Sequence, residues 1–413
     1  LVKAVHGLVQ AGLRFNEKYS AGAVSFNYNG IQMKRCVKDP CVFVWRDKEK
    51  GLILIVSIHV DDAKYATNCE KVLAAYISNM KAKGIGVQEF EPINYFLSIS
   101  YDQDRKEGTV RMGQQAYVQS FLDKQPTTPP CDVPHYPTKH LNENESVASQ
   151  SEVDEFRSVL GKVGYMIQTY PELAFIYSKL SSYSRNPSEN VKKTLHVKVV
   201  GYLTRTVKDH CIQFSRKSCY DGPVEHDPAV CVDGKIKDCD ISVFNLEAFV
   251  DAEFALRNKK TGKSRGGTFI MFVGGCIHVN SKIQNIVTRS AQESEIVQTE
   301  NGERMIRYTK ELLTEFGFKE APSVMYEDNE PAATFATNFV SNSKTRQLRL
   351  CYFVIRDECL KGNILMCHLP AFWQLADILT KPVVKELWKR FVPYVLGIKF
   401  QDFKRLGTYM PVD

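Results

Sequence analysis

Residues 52–67 read LILIVSIHVDDAKYAT: an apolar strand runs straight into two adjacent carboxylates, Asp61 and Asp62, and out again into a second short strand. That pattern predicts a tight hairpin carrying acids at its tip. Two acids side by side after a buried strand raise each other's pKa unless a cation or solvent offsets them. A divalent ion with hard oxygen ligands removes the conflict, and magnesium, which keeps several waters and bridges to phosphates, suits such a place. A solvent-exposed turn is the competing account of the same two residues and, for the pair taken alone, the commoner one.

Outward from the hairpin, a chain of 413 residues is too long for one ordinary core and points to two or three domains. The net charge of +7 permits nucleic-acid binding without proving it. The longest apolar run, residues 52–58, falls far short of the roughly 20 residues needed to cross a bilayer, so no membrane span is expected. The first residues, LVKAVHGLVQAG, have no signal-peptide pattern and no initiator methionine, and read as a chain cut from something longer. Twelve cysteines without a C-x-x-C pair predict free thiols in a reducing, intracellular compartment, not a secreted protein. The gaps between Cys211, Cys219, Cys231 and Cys239, with His210 and His226 nearby, are too wide for a zinc knuckle or ribbon.

Punctuation divides the chain into blocks. Residues 1–124 alternate strands with amphipathic helices, and 125–150, rich in proline and polar residues, form a linker. Residues 151–240 carry apolar positions at helical spacing, as in FRSVLGKVGYMI. Residues 241–390 read strand, strand, strand, helix, strand, helix, helix, strand, helix, an order that builds a mixed sheet with flanking helices. Residues 391–413 form a tail. The fold class expected is α+β and α/β.

Four acids occupy similar places in the 241–390 block. Asp251 ends the strand LEAFV, Glu295 lies in the first turns of a long helix, Asp328 follows the strand SVMYE, and Asp377 lies in QLADILT. Acids at the carboxyl ends of neighbouring strands and on facing helices can converge on one sheet edge and hold two magnesium ions. Any one of them alone is more often a cap or a surface charge. Gly262-Lys263-Ser264 is a turn and not a phosphate loop, because Arg257 stands where that motif needs glycine. His59, His278 and His368 read as structural residues rather than ligands.

The segments around these acids carry a resemblance. His59-Val60-Asp61-Asp62 resembles the aromatic-x-Asp-Asp hairpin of reverse transcriptases, and residues 1–12, Asp39-Pro40-Cys41-Val42-Phe43 and GQQAYVQSFL (113–122) resemble copia-type segments. PELAFIYSKLSSYSRNPSE (171–189) looks like the helix between polymerase and nuclease, with Glu172 and Leu173 in place of aspartate and isoleucine. FVDAEFA (249–255), the glycine-paired hairpin of residues 260–284, RSAQESE (289–295), YEDNEPAATFATN (326–338) and LPAFWQLADILTKPV (369–383) resemble the ribonuclease H motifs, the last being the most specific. In family order these cover nearly the whole chain, which thus resembles the reverse-transcriptase and ribonuclease H region of a copia-type retrotransposon Pol polyprotein.

The resemblance implies a partial reverse-transcriptase palm (1–124), a helical thumb or connection (151–240) and a ribonuclease H-like domain (241–390). It implies that Asp61 and Asp62 are polymerase ligands, and that Asp251, Glu295, Asp328 and Asp377 hold two Mg2+ or Mn2+ ions for hydrolysis of RNA in RNA–DNA hybrids. It also implies primer–template nucleic acid, upstream Pol segments or a second copy as partners, no membrane, and a cytoplasmic, particle-associated or nuclear location. The family's first catalytic aspartate falls upstream of residue 1, so polymerisation by this chain alone is not expected. His59 replaces the aromatic residue, Arg346, Gln347 and Arg349 replace lysine, histidine and aspartate, and Phe353-Val354 replaces histidine-phenylalanine. Gly302 interrupts the long helix, where glycine costs about 1 kcal/mol against alanine. Such departures suit a second reading, a catalytically inactive, degenerate copy that only binds nucleic acid through its phosphates.

Overall fold

A computed structural model of the chain describes residues 11–60, 62–86, 94–136, 141–142, 144, 146–215, 243–244, 246–254, 261–338, 350–399 and 403–412. It is a mixed α/β protein with several sheets, and by contact it divides into two compact units. One comprises residues 1–93, 240–244 and 307–320, and the other the remainder.

In the first unit, β1 (Lys34–Arg35), β2 (Val42–Asp47), β3 (Leu52–His59) and β4 (Asp62–Thr67) form an antiparallel sheet in that order. Helices α1 (Ala11–Val24) and α2 (Glu70–Ala82) share its core, in which Phe43, Trp45, Leu54, Val56, Tyr76 and Met80 are buried. The strand expected to be buried throughout buries one face instead. Leu54, Val56 and Ile58 lie inside and the residues between them are half-buried, as strand alternation dictates. His59 pairs with Asp62 across the turn, and Val60 takes φ +55°, a left-handed conformation that a β-branched residue rarely adopts.

The second unit is built on a six-stranded mixed sheet. Its strands are β5 (Glu247–Glu253), β6 (Arg265–Phe272), β7 (Gly275–Ile283), β8 (Ser323–Glu327), β9 (Ile364–His368) and β10 (Thr408–Tyr409), in the spatial order β7-β6-β5-β8-β9-β10. The β5–β8 and β8–β9 pairs are parallel and the rest antiparallel. The order of longer elements is the one read from the sequence. Helix α3 (Gln150–Met166) begins in a capping box, Ser149 and Glu152 each accepting the other's backbone N–H. It packs with α4 (Ala174–Ser181) and α5 (Val200–Thr206) into the same apolar cluster as the sheet, where Phe156, Val163, Leu180 and Leu203 join Phe249, Phe269, Tyr326 and Phe391.

The long helix α6 (Ala291–Glu315) explains its own glycine. A Cβ at Gly302 would lie 2.7 Å from Val250 Cγ1 and 3.2 Å from Met325 Cε, so the glycine lets the helix lie close on β5 and β8. Gly302→Ala is therefore expected to destabilise the protein by about 1–2 kcal/mol, because the overpacking cost exceeds the roughly 1 kcal/mol gained in helix propensity. Denaturant unfolding measures it, and a stabilised variant would show the close approach to be dispensable.

Candidate metal centre

Parallel pairing brings the carboxyl ends of β5 and β8 side by side. Phe249 pairs with Tyr326, so two residues further on Asp251 comes beside Asp328. Opposite Asp251 on β6 stands Gly267, where a Cβ would come 2.5 Å from Leu379 Cβ, so that the short helix α7 (Asp377–Thr380) lies directly over the strand. The Thr380 hydroxyl donates to the Asp251 carboxylate, and the Gln374 amide donates to the Val250 carbonyl at 2.9 Å. On the other side α6 starts after Ser290, whose hydroxyl accepts the Glu293 N–H at 3.1 Å. Glu295 then falls in the second turn, buried toward the sheet.

These elements bring three of the acids together. One carboxylate oxygen each from Asp251, Glu295 and Asp328 lie within 4.8 Å of one another. Asp377 adjoins them. Its carboxylate pairs with the Lys381 ammonium at 2.7 Å, and its pKa is pushed up to about 7 by burial and then by Asp251. In the first unit, Asp62 is exposed at the start of β4, and Asp61 lies outside the described residues.

Burial, followed by the charges of Glu327, Asp251 and Asp328, holds Glu295 well above the usual carboxylate range. Burial, then Asp251, raises Asp328 to about 6 against the opposing field of Lys381. Burial works against the Lys381 charge, yet Asp251, Asp377 and Asp328 outweigh it and raise its pKa. Mutual repulsion among buried acids with this lysine set against them is the condition that a divalent cation relieves. The residues fit such an ion. All three donors are hard oxygens, and Glu295 Oε2 is buried without a hydrogen-bond partner.

Three neighbours were not singled out in the sequence. Thr380 and Lys381 follow Asp377 within the closing motif, so their proximity was readable in principle. Glu327 was not, because a residue before an aspartate carries no signal of its own. It is fully buried at the end of β8, one oxygen accepting the Asn329 N–H at 2.9 Å and the other unpartnered.

A stability measurement follows from these shifts. The unfolded carboxyls titrate near 4, so between about pH 4 and pH 7 the folded state holds more protons than the unfolded one, and stability falls as pH rises. Asp377→Asn removes one such group. Without metal, the variant is expected to gain on the order of 2 kcal/mol over the wild type between pH 4 and 7. Thermal unfolding in chelator tests this, and a difference that stays flat with pH would contradict it.

His368 Nε2 lies 3.1 Å from the Asp328 carbonyl, at the edge of the cluster. Phe353 packs edge-on against Phe335, with the Arg356 guanidinium over both rings. Cys36, Cys41, Cys69, Cys131, Cys211, Cys276, Cys359 and Cys367 are free thiols. Cys219, Cys231, Cys239, His226, Arg346, Gln347 and Arg349 lie outside the described residues. Among the described residues, no helix is long and apolar enough to cross a membrane.

No protein-family model matches the chain. Over 394 residues, 95% of its length, it is 25% identical to the retrovirus-related Pol polyprotein from transposon RE1 of Arabidopsis thaliana. It is 26% identical over 395 residues to that from transposon RE2 of the same organism, and 25% identical over 408 residues to that from transposon TNT 1-94 of Nicotiana tabacum. The chain spans 24%, 24% and 28% of these relatives. Similarity along nearly its whole length, on top of the motifs, makes the chain a sequence relative of the retrovirus-related Pol polyproteins of copia-type transposons.

Proposed function

We propose that the second unit contains the ribonuclease H part of a copia-type Pol polyprotein, and that it hydrolyses the RNA strand of an RNA–DNA hybrid with Mg2+ or Mn2+. The observation that carries this reading is the approach of buried oxygens from Asp251, Glu295 and Asp328 to within 4.8 Å. These residues, with Asp377 beside them, would hold two ions. When bound, such ions activate a water for attack on a phosphodiester and stabilise the leaving oxygen.

The protein's own residues account for the rest. Thr380 fixes the Asp251 carboxylate by donating to it, and Lys381 holds Asp377 in place. The hybrid would be distinguished by its shape and 2′-hydroxyls, since an RNA-containing duplex offers side chains little readable base pattern. By resemblance, residues 1–124 are part of a reverse-transcriptase palm, and Asp61 and Asp62 belong to its polymerase hairpin.

Incubating the chain with a labelled RNA–DNA hybrid and Mg2+ tests the nuclease. Cleavage of the RNA strand that stops in chelator supports it. Binding without cleavage favours the inactive copy.

A further inference from the structure

The first part of the linker and the last long helix meet in a cluster of cations that the acid cluster does not use. Asp132 accepts ion pairs from Arg205 Nε at 2.8 Å, from Lys385 Nζ and from Lys389 Nζ at 3.5 Å. Three cations share one carboxylate, which leaves positive charge unbalanced, and each cationic side chain is about half exposed. Lys198 adds another cation, lying over the Tyr136 ring at 4.4 Å and lowering the His135 pKa after burial does. Glu386, exposed in the same helix turn as Lys385, opposes the field.

The position of this cluster follows from the chain. Lys385 and Lys389 lie one turn apart on one face of helix α8 (Lys385–Val395). Lys385 is four residues beyond Lys381, so the two Cα atoms stand at most about 14 Å apart. The same helix carries Arg390, which stacks 3.4 Å from the Phe372 ring centroid, and Phe372 is 55% exposed. Two residues after Phe372, Gln374 bonds the backbone beside Asp251. Phe372, Lys385, Lys389 and Arg390 thus lie on the same stretch of chain as Gln374 and Asp377.

Stability does not account for this placement. A lysine in the first helical turn, where Lys385 stands, opposes the helix dipole, and exposed ion pairs contribute little. Phosphates along a duplex, one charge per about 1.7 Å of axis, match it well.

We infer that Lys385, Lys389 and Arg205, with Lys198 and Arg390 flanking them, form a phosphate track that grips the nucleic-acid backbone beyond the metal centre. The inference deepens the nuclease reading and rests on it for the substrate. Contacts of this kind position a duplex and carry no sequence information.

The test is the affinity of the full chain for a fluorescently labelled RNA–DNA hybrid in chelator, measured over a salt series. Lys385→Ala/Lys389→Ala is expected to weaken binding roughly tenfold at moderate salt, equally for different sequences, and to reduce the log–log salt slope by about 1 for each lysine. Lys385→Arg/Lys389→Arg should bind as the wild type does. Both positions are exposed, and circular dichroism checks that the variants fold. A double-alanine variant with wild-type affinity and slope overturns the track, as does a wild-type chain that fails to bind. A wild-type chain that binds, loses affinity on double substitution and yet never cleaves in Mg2+ supports the track and sinks the nuclease reading alone.

Discussion

Asp251→Asn is expected to lower cleavage of the hybrid's RNA strand by about a thousandfold, equivalent to about 4 kcal/mol of transition-state stabilisation. Asp251 is the acid the others converge on. It shares the close set with Glu295 and Asp328 and contributes to the raised pKa of Asp377. Asparagine preserves size and can still accept the Thr380 hydroxyl, so the strand and α7 should keep their places. Removing one charge from the cluster should leave the metal-free protein at least as stable as the wild type, whereas a merely structural aspartate would lose stability when replaced. Single-turnover cleavage and thermal unfolding, read together, decide it. A variant that cleaves within tenfold of wild type would remove Asp251 from the centre.

The second large effect lies away from the acid cluster. Glu172 is buried with its side chain fully enclosed, 2.7 Å from His210 Nε2 and accepting the Tyr202 hydroxyl at 2.9 Å, while the Tyr170 ring stacks on the imidazole. Glu172→Ala leaves both partners without this acceptor inside the core and opens a cavity, so a loss of about 3 kcal/mol or more is expected in denaturant unfolding. Glu172→Gln keeps an acceptor for Tyr202 and should lose less. A change below about 1 kcal/mol for the alanine variant would mean that the contact contributes little. The sequence marked Glu172 only as a departure from the aspartate of the resembled motif, since the partner that explains it is 38 residues away.

Apolar runs, helical spacing and turn residues anticipate the hairpin at residues 52–67 and the order of longer elements after residue 246, because each depends on a few consecutive side chains. The glycines show the boundary. Gly266-Gly267 marked a glycine-paired hairpin in the sequence, and the structure identifies what comes close to Gly267: the segment bearing Asp377 and Thr380. Gly302 announced only a weak helix, and its reason, the side chains of Val250 and Met325, sits on two other strands.

By itself the sequence determined the kind of elements, their order, the four acids worth watching and the family resemblance. Only the tertiary structure decided that Asp251, Glu295 and Asp328 stand within donor distance while Asp377 sits beside them on Lys381. It also decided that Glu327 joins them from inside, and that the helices of residues 150–207 share one core with the sheet. The reason is physical. Periodicity and capping are fixed within a turn or a strand, but the parallel register that sets Asp251 beside Asp328 links residues 77 positions apart. Their approach is driven by burial of Phe249, Tyr326 and the apolar side chains around them rather than by any feature of the acids themselves.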